Sequence, residues 1–342
     1  MTSDFVDLFS GAGLVAEALK QAGLRLRVAA DNWPLAIRTF TARHGDRCAH
    51  CNLLQPGAIP GFLKRNGIKP SFHGLIHMSP PCTEFSVARG GFEASESNEL
   101  AFDAIADVAE YAPHALIMVE NVTGFLSSKY AYPRLQMSKR IYACRKQNVD
   151  DDYMMACVYS ATMMGVPQTR DRMIFPISPR GARMPLPCSC KINLRNLTIR
   201  KAIGGRFSDP DPEKVELTSR ERELFEGMPP GGNWRSTLRA RKHAMSKRGP
   251  RPPECFLHRN GWDDIPPCVI ASPRAWLKDG KFLHPGTGEL RRFTLGELRA
   301  FQAIPRDYVF SGEKLDRLRQ IGNAVPPPMA IEAAMTAIAG LR

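Results

Sequence analysis

The sequence contains no hydrophobic run long enough to cross a membrane and no signal-like start. No apolar stretch approaches the roughly 18–20 residues that a bilayer-spanning helix needs. The first residues, MTSDFVDLF, lead directly into a strand-like run and lack the basic and then apolar layout of a signal peptide. We therefore expect a cytoplasmic protein that makes no contact with a membrane.

The chain also lacks the cysteine pattern of a disulfide framework or of a zinc finger. Its nine cysteines are an odd number at irregular spacing, which is typical of free thiols in a reducing compartment. Two short motifs, CAHC and CSC, offer Cys48, Cys51, Cys188 and Cys190 as zinc ligands, but nothing in the sequence brings the two motifs together. His50 has no partner at finger spacing. We predict that the protein binds no metal.

Acidic residues are absent from one strongly basic stretch, RSTLRARKHAMSKRGPR, at 235–251. The whole chain has a net charge of +13. A merely solvated surface normally mixes both signs of charge, so we favour nucleic acid as the partner of this stretch. Its basic residues are Arg235, Arg239, Arg241, Lys242, Lys247, Arg248 and Arg251.

The 342 residues predict an α/β fold with a mostly parallel sheet and a second, smaller domain. The first half alternates short apolar strands with amphipathic helices, which is typical of a parallel sheet covered on both faces; the segment DYMMACVYSATMMGVP also reads as strand-like. From about 180 to 284 the chain is rich in Pro, Gly and Arg and only weakly periodic. We predict a cofactor-binding domain at 1–182, an irregular β-rich domain at 183–284, and a return to the first domain at 285–342, whose last helix packs on it.

The motif DLFSGAG forms a strand followed by a glycine-rich turn and a helix. Gly11 and Gly13 would let a ligand approach the backbone, where the helix N-terminus offers N–H groups. Asp31 ends the next strand, 24 residues after Asp7, and an acidic residue there can accept hydrogen bonds from ribose hydroxyls. Phe9 is a candidate to stack on an adenine ring. The pattern predicts a nucleoside cofactor.

Two polar groups end later strands. In MSPPCTEFS, Pro80 and Pro81 stiffen the segment that leads to Cys82, as a nucleophile requires, although a buried packing thiol is the ordinary alternative. In VENV, Glu120 follows an apolar run, where a carboxylate is costly unless it is paired or functional. A thiolate that adds to an electrophilic carbon and a carboxyl that donates a proton would suit this pair.

In their order, these motifs resemble the cytosine-C5 DNA methyltransferases. The resemblance rests on six motifs, DLFSGAG, PPC-x-x-FS, ENV, QTRDR, RRFTLGELRAFQAIP and QIGNAVPP, and covers roughly 1–177 and 284–335. It implies a Rossmann-like domain that uses S-adenosylmethionine and a small target-recognition domain at 183–284. It also implies base flipping, attack of Cys82 on C6 of the cytosine, and methylation at C5.

The resemblance further implies roles for individual residues. Glu120 would contact N3 and the exocyclic amine of the cytosine, while Arg172, with Arg170 as its neighbour, would hold the O2 atom and the active-site loop. Asn323 would also brace the junction between the domains. The residues expected to contact the cofactor are Phe9, Gly11, Gly13, Asp31, Asn32, Asn52, Pro81, Asn323 and Ala324, and those expected to contact DNA are Ser86, Arg89, Arg235, Arg239, Arg241 and Lys242.

Four positions depart from the family pattern. Thr83 replaces the glutamine that usually follows the catalytic cysteine, and Leu14 replaces the second glycine that commonly ends the first motif. Asn52 stands where the family often has an aspartate for the adenine amine, and its amide oxygen can still accept a hydrogen bond. Cys268 replaces a threonine that usually touches the DNA backbone. These changes leave room for an altered donor or substrate preference.

The sequence therefore predicts a DNA cytosine-C5 methyltransferase of the bacterial or phage type that acts as a monomer on a short duplex sequence. A tRNA methyltransferase with the same motifs is the nearest alternative, although the long segment between the motifs favours duplex DNA. A DNA-binding repressor with a degenerate catalytic domain is a second alternative, which Cys82, Glu120 and Arg172 argue against. A cognate restriction endonuclease would be a further partner.

Overall fold

The computed structural model describes the chain at 3–81, 96–180, 196–204, 207–214, 216–217, 219–233, 236, 258–272, 284–286 and 291–341. Within these ranges no helix combines the length and the apolar character needed to cross a membrane.

The chain divides into two compact units. The first comprises Met1–Met164, Asp171–Lys191 and Val325–Arg342, and the second comprises Gly165–Arg170 and Ile192–Ala324. This division differs from the predicted domains in that 165–170 and 285–324 belong to the second unit, while the first unit extends to 191. The role of 183–284 as a target-recognition domain stays a prediction.

The first unit is built on one sheet of seven strands among the described residues, in the order β3-β2-β1-β4-β5-β7-β6. The first five strands pair in parallel, and β7 runs antiparallel to both β5 and β6. This arrangement confirms the mostly parallel α/β sheet. The strands are β1 Asp4–Leu8, β2 Arg25–Asp31, β3 Cys48–His50, β4 Leu75–Met78, β5 Leu116–Asn121, β6 Val158–Ser160 and β7 Asp171–Ile177.

Helices follow the strands as the alternating pattern predicts. In the first unit they are α1 Leu14–Gln21, α2 Pro34–His44, α3 Ala58–Arg65, α4 Glu96–Tyr111, α5 Ala131–Arg145, α6 Asp151–Ala156 and, at the end of the chain, α11 Pro327–Ala339. In the second unit the described helices are α7 Ile199–Ile203, α8 Ser219–Phe225, α9 Leu295–Phe301 and α10 Lys314–Asn323.

One segment differs from its predicted form. The strand-like interpretation of DYMMACVYSATMMGVP is wrong for its first half, because 151–156 form α6. The Asp150 side chain accepts a hydrogen bond from the backbone N–H of Tyr153, 2.9 Å away, and so caps the helix. Local capping therefore outweighs the strand propensity of this short segment, and only 158–160 enter the sheet.

The central strands are buried on both faces. Every residue of β1, β4 and β5 is buried, including the polar Asp7, His77 and Glu120. The last helix, α11, packs on α1 within the first unit, as its apolar pattern predicts. Because the strands themselves are buried, we expect a ligand to bind at their carboxyl ends, as in other open α/β sheets.

Candidate active site

Predicted site residues at the end of β5, after β4 and at the start of β7 lie at one edge of the sheet. Glu120 lies near the end of β5, and Ser79, Pro80 and Pro81 continue β4 at the same edge. Because β7 is antiparallel to β5, it begins at this edge, and Arg172 is its second residue. The topology therefore brings together Glu120, Arg172 and the segment that leads to Cys82.

The Glu120 carboxylate is buried and held by two side chains. One oxygen lies 3.1 Å from Nε of Arg172, and the other accepts a hydrogen bond from the Ser79 hydroxyl. The Arg172 guanidinium also donates to the carbonyl of Asp171, 2.7 Å away. A buried carboxylate with these partners is fixed in orientation and satisfied in charge. The catalytic roles of Glu120 and Arg172 stay predictions.

The segment before Cys82 is anchored to both neighbouring strands. The backbone N–H of Ser79 donates to the carbonyl of Leu8, 3.2 Å away, and the amide of Asn121 donates to the carbonyl of Pro80, also at 3.2 Å. Pro80 is buried and Pro81 is exposed. The two prolines and these two hydrogen bonds restrain the backbone of 79–81, which precedes Cys82. Cys82 itself lies outside the described residues.

The glycine-rich turn after β1 is held by Asp31. One carboxylate oxygen of Asp31 accepts from the N–H of Gly11 at 2.7 Å, and the other accepts from Trp33 at 2.8 Å. Burial raises the pKa of Asp31, although these backbone N–H groups oppose the shift. The N–H of Gly13 donates to the carbonyl of Ser10 at 3.0 Å. The N–H of Gly11 is thus bound to β2 and that of Gly13 within the turn, and the cofactor roles of the two glycines stay predictions.

The two glycines of the turn serve different purposes. Gly11 has a φ of +52°, and a Cβ added there would meet nothing within 4 Å, so its backbone is open to a ligand. At Gly13, with a φ of +87°, a Cβ would lie 2.7 Å from a Phe40 ring carbon and 2.9 Å from the His44 ring. Gly13 is therefore required by the packing of α2. Phe9, half-buried at the end of β1, has a φ of +55°, a strained value that is frequent at functional sites.

Other predicted cofactor residues lie at the ends of β2 and β3. Asn32 and Asn52 are exposed; the carbonyl of Asn32 lies 3.2 Å from Nε2 of His50. The backbone N–H of Cys51 donates to the carbonyl of Asp31 at 2.9 Å, which ties these two strand ends together. Asp31, Asn32 and Asn52 therefore lie close to one another, on the side of the sheet where the glycine turn lies.

Cys48, one of the candidate zinc ligands, is a buried thiol. Its Sγ lies 3.5 Å from the Ser10 hydroxyl, and burial raises its pKa to about 12. It is therefore protonated at neutral pH, whereas zinc binds the thiolate. Cys188 and Cys190 lie outside the described residues, and the absence of a metal site stays a prediction.

Arg170 does not occupy the catalytic position that the sequence suggested. Its guanidinium is fully buried in the second unit, where it donates to the carbonyls of Val269 at 2.7 Å, Gly322 at 3.2 Å and Ala324 at 2.9 Å. Backbone carbonyls thus occupy its terminal nitrogens. The structure corrects its role to that of a clamp that joins three segments of this unit.

The buried Gln168 completes this clamp. Its amide nitrogen donates to the carbonyl of Phe301 at 2.9 Å and to the side chain of Gln302 at 2.7 Å, and its amide oxygen accepts from the N–H of Val269 at 3.1 Å. The residues of the motif QTRDR therefore have different contacts. Gln168 and Arg170 hold the second unit together, whereas Arg172 reaches Glu120 in the first.

The motif QIGNAVPP begins in α10, and its residues up to Ala324 belong to the second unit. Gly322 allows a close approach, because a Cβ there would clash with the backbone at Ile270 and Ala271. Asn323 is exposed, and Ala324 is buried with its carbonyl bound to Arg170. Cys268 is half-buried, with its Sγ 3.8 Å from the Arg170 guanidinium. The predicted cofactor roles of Asn323 and Ala324 stay predictions.

Several predicted residues lie outside the described residues, and the structure does not place them. They are Cys82, Thr83, Ser86, Arg89, Arg235, Arg239, Arg241 and Lys242.

Sequence reasoning missed Ser79 and Asn121 as parts of the site. Their signal was present: each adjoins a residue already singled out, Ser79 before the prolines and Asn121 after Glu120. What the sequence could not show was that β4 and β5 are neighbours, and this pairing brings the Ser79 hydroxyl to Glu120 and the Asn121 amide to Pro80.

Comparison with known proteins identifies a family match over nearly the whole chain. The family model described as C-5 cytosine-specific DNA methylase matches residues 3–339. Among curated proteins, the Type II methyltransferase M.SacI of Streptomyces achromogenes is 27% identical and covers 94% of this chain and 89% of its own. The Type II methyltransferase M.MthTI of Methanothermobacter thermautotrophicus is 25% identical and covers 98% and 96%.

Solved structures share the fold. The S. pombe Dnmt2 methyltransferase superimposes with a TM-score of 0.62 at 15% identity, covering 97% of this chain and 96% of its own. The Entamoeba histolytica methyltransferase EhMeth has a TM-score of 0.62 at 13% identity, covering 99% and 98%. At this identity the likeness establishes the Rossmann-like architecture.

Proposed function

The chain belongs to the C-5 cytosine-specific DNA methylase family, and from this premise we propose how its residues carry out the reaction. It is a DNA cytosine-C5 methyltransferase, its methyl donor is S-adenosylmethionine, and its substrate is DNA. Our proposal concerns the residues that perform the chemistry and their order of action.

The observation that carries the proposal is the buried contact of Glu120 with Arg172 and Ser79. This cluster lies beside the anchored segment Ser79–Pro80–Pro81, and the next residue is Cys82. A rigid approach to a thiol and an oriented carboxyl are the two elements that covalent attack on a cytosine ring requires.

We propose that the Cys82 thiolate attacks C6 of a cytosine flipped from the duplex. A bond forms between Sγ and C6, and the C5–C6 double bond opens. Glu120 donates a proton to N3 and accepts a hydrogen bond from the exocyclic amine, which lowers the cost of charge on the ring. Arg172 fixes Glu120 and donates to the O2 atom.

The second half of the reaction restores the aromatic ring. S-adenosylmethionine, when bound, supplies the methyl group that C5 accepts. Solvent water then takes the proton from C5, the electron pair of the C–H bond re-forms the C5–C6 double bond, the Sγ–C6 bond breaks, and the thiolate of Cys82 returns. N3 gives its proton back to Glu120.

The residues present at the strand ends fit the cofactor. Gly11 leaves its backbone open to a ligand, Phe9 offers a half-buried ring at the end of β1, and Asn32 and Asn52 expose amides at the ends of β2 and β3. We propose that these residues, together with the Asp31 carboxylate and Pro81, hold the nucleoside part of S-adenosylmethionine.

The recognition of a short duplex sequence is proposed for 183–284, where arginines would pair with guanine and lysines would contact phosphates. A monomeric state and a cognate restriction endonuclease belong to the same proposal. Since the enzyme must meet DNA, a protein of bacterial or phage type would work in the cytoplasm.

The test is methyl transfer from tritiated S-adenosylmethionine to mixed-sequence duplex DNA and, in parallel, to bulk tRNA, with bisulfite sequencing of the products. We expect label in DNA at C5 of cytosine within one short sequence, and loss of this label in Cys82→Ala and Glu120→Gln. Label in tRNA alone would move the function to the tRNA alternative. Binding of DNA with no label would favour the repressor alternative.

A further inference from the structure

The last residue of α2, His44, is a buried histidine with no part in the reaction above. Its side chain is fully buried, and its Nε2 lies 3.0 Å from the carbonyl oxygen of Gly13, the residue that precedes α1. Phe40, one turn earlier on α2, packs edge-on against the imidazole with ring centroids 4.7 Å apart. Burial of a polar ring is costly unless its nitrogens have partners, and one of these partners belongs to the glycine-rich turn.

The neighbours of the two ring nitrogens determine which nitrogen carries the proton. A carbonyl oxygen can only accept, so Nε2 donates to Gly13. On the other side of the ring, Nζ of Lys20 lies 3.5 Å from Nδ1, and an ammonium group can only donate. Nδ1 is therefore bare and the ring is neutral. Burial lowers the pKa of His44, which agrees with a neutral ring at neutral pH.

The nearest carboxylate belongs to Glu17 and is engaged elsewhere. Its Oε2 lies 4.0 Å from Nδ1 of His44, beyond hydrogen-bonding distance. Both Glu17 oxygens accept from the Arg43 guanidinium, at 2.7 and 3.0 Å, and Gln21 donates to one of them at 3.0 Å. The ion pair of Glu17 with Arg43 thus joins α1 to α2 through side chains, whereas His44 bonds the backbone of the turn itself.

The turn that His44 contacts has an unusual backbone. Phe9, Gly11 and Gly13 all have positive φ values, of +55°, +52° and +87°. Left-handed backbone is unfavourable for a residue with a side chain such as Phe9 and persists where the surrounding structure holds it. The shape of this turn therefore depends on the contacts that restrain it.

Two neighbouring elements restrain the turn at its two ends. At the first end, the N–H of Ser10 donates to the carbonyl of Ala30 on β2 at 3.0 Å, next to the bond between Gly11 and Asp31. At the second end, the carbonyl of Gly13 accepts from the first helical N–H bonded to it, at 2.9 Å, and also from His44. The β2 end of the turn is thus held by Asp31, and the α2 end by His44.

We propose that His44 is a positioning residue for S-adenosylmethionine: its Nε2–H holds the Gly13 carbonyl and keeps the glycine-rich turn in the shape that receives the cofactor. This inference rests on the proposed contact of the cofactor with this turn. Without the bond, cofactor binding must order the turn, and this cost weakens the affinity. The chemical step is unchanged once the cofactor is bound, because the contacts of Glu120 with Arg172 and Ser79 do not involve His44.

The first test needs no substrate and uses the wild type. In ¹⁵N-labelled protein, the ring nitrogens of His44 report which of them carries the proton; the signals are assigned by their loss in His44→Gln. We expect a protonated Nε2 and a bare Nδ1 at neutral pH. A bare Nε2 could not donate to Gly13 and would overturn the proposal, whether or not any variant folds.

The second test is calorimetric binding of S-adenosylmethionine to the wild type, His44→Leu, His44→Gln and Arg43→Met. We expect the Kd of His44→Leu to rise about fivefold, which corresponds to about one hydrogen bond. The amide nitrogen of His44→Gln can take the place of Nε2, so its Kd should stay within about twofold of the wild type. Arg43→Met breaks the ion pair between the same two helices and controls for their packing; its Kd should also match the wild type.

Steady-state methyl transfer to DNA separates positioning from general damage. In His44→Leu, the KM for the cofactor should rise by the same factor as the Kd, while kcat stays within about twofold. An unchanged Kd in His44→Leu would overturn the proposal, as would a Kd in His44→Gln or Arg43→Met as high as that of His44→Leu. A wild type that binds the cofactor without methyl transfer would instead count against the proposed function, while the comparison of Kd values still decides the role of His44.

Discussion

The side-chain amide of Asn121 donates a hydrogen bond to the carbonyl oxygen of Pro80 across 3.2 Å. Asn121 follows Glu120 directly, and Pro80 stands two residues before Cys82. The end of β5 therefore holds the Glu120 carboxyl and also the segment that leads to Cys82, the proposed nucleophile. We expect the relative position of these two proposed catalytic groups to depend on this hydrogen bond.

Removal of this connection should slow the formation of the covalent adduct. We expect Asn121→Ala to lower the single-turnover rate by about tenfold, since misplacement of a nucleophile is costly, while the affinity for S-adenosylmethionine stays within about twofold, as the side chain does not line the glycine turn. Rapid-quench kinetics and calorimetric binding measure the two quantities. Asn66→Ala is the matched control, because it removes an amide–carbonyl bond of 2.9 Å at the end of α3; an equal loss of rate in both variants would contradict the account.

Substitutions of Arg172 and of Arg170 should have different effects, the first on the rate of methyl transfer and the second on stability. Arg172→Lys keeps the positive charge but loses the guanidinium that orients Glu120, and the two cations are not equivalent at such a site. We expect the rate of methyl transfer to fall by at least about tenfold, with a melting temperature within about 3 °C of the wild type. A normal rate in this variant would mean that Arg172 only balances charge.

Arg170→Met should instead destabilise the second unit. Three backbone carbonyls would lose a buried donor, each worth roughly 1 kcal/mol, so the free energy of unfolding should fall by about 3 kcal/mol. Urea unfolding measures this loss. The control is Arg200→Met, which breaks an exposed ion pair with Asp263 in the same unit and should leave the free energy of unfolding close to that of the wild type, because solvent screens such pairs; equal losses would contradict the clamp.

The stability of the second unit should depend on pH through Glu297. Burial raises the pKa of this carboxyl, but hydrogen bonds from Arg291 and His284 outweigh that effect and lower it to about 2. A lowered folded-state pKa means that the stabilisation is complete above the unfolded value near 4.5 and is lost as the pH falls towards 2. We expect unfolding free energies to decline by up to about 3 kcal/mol over this window.

The variant Glu297→Gln provides the check on this pH dependence. It should be less stable than the wild type near neutral pH and should show a flatter decline between pH 4.5 and 2. Parallel curves for the two proteins across this window would show that other carboxyls cause the acid sensitivity.

The alternation of apolar strands and helices was sufficient to predict the parallel part of the sheet, because strands that are buried on both faces are apolar at nearly every position. It was insufficient at 151–156, where capping by Asp150 creates a short helix in an apolar context. The antiparallel β7 was also hidden, since strand direction depends on tertiary pairing. Gly13 shows the same limit: its packing against Phe40 is invisible in a sequence.

Within the candidate site, the sequence could not show the contacts between partners on distant strands. Glu120 stands out as a charge at the end of an apolar run. Arg170 and Arg172 are alike in sequence, and only the fold shows that one is buried among carbonyls while the other reaches Glu120. The pairing of Asp7 with His77, 70 residues apart, likewise follows from the neighbouring positions of β1 and β4.

The central claim is that Cys82 attacks cytosine in DNA, with Glu120 and Arg172 beside it. The most direct measurement incubates the protein and S-adenosylmethionine with DNA that contains 5-fluorocytosine and analyses the mixture on a denaturing gel. Fluorine at C5 cannot leave as a proton does, so the enzyme stays bound to the DNA. The account predicts a slower-migrating band that requires the cofactor and disappears in Cys82→Ala. A band that persists in Cys82→Ala, or no band when DNA binding is intact, would contradict it.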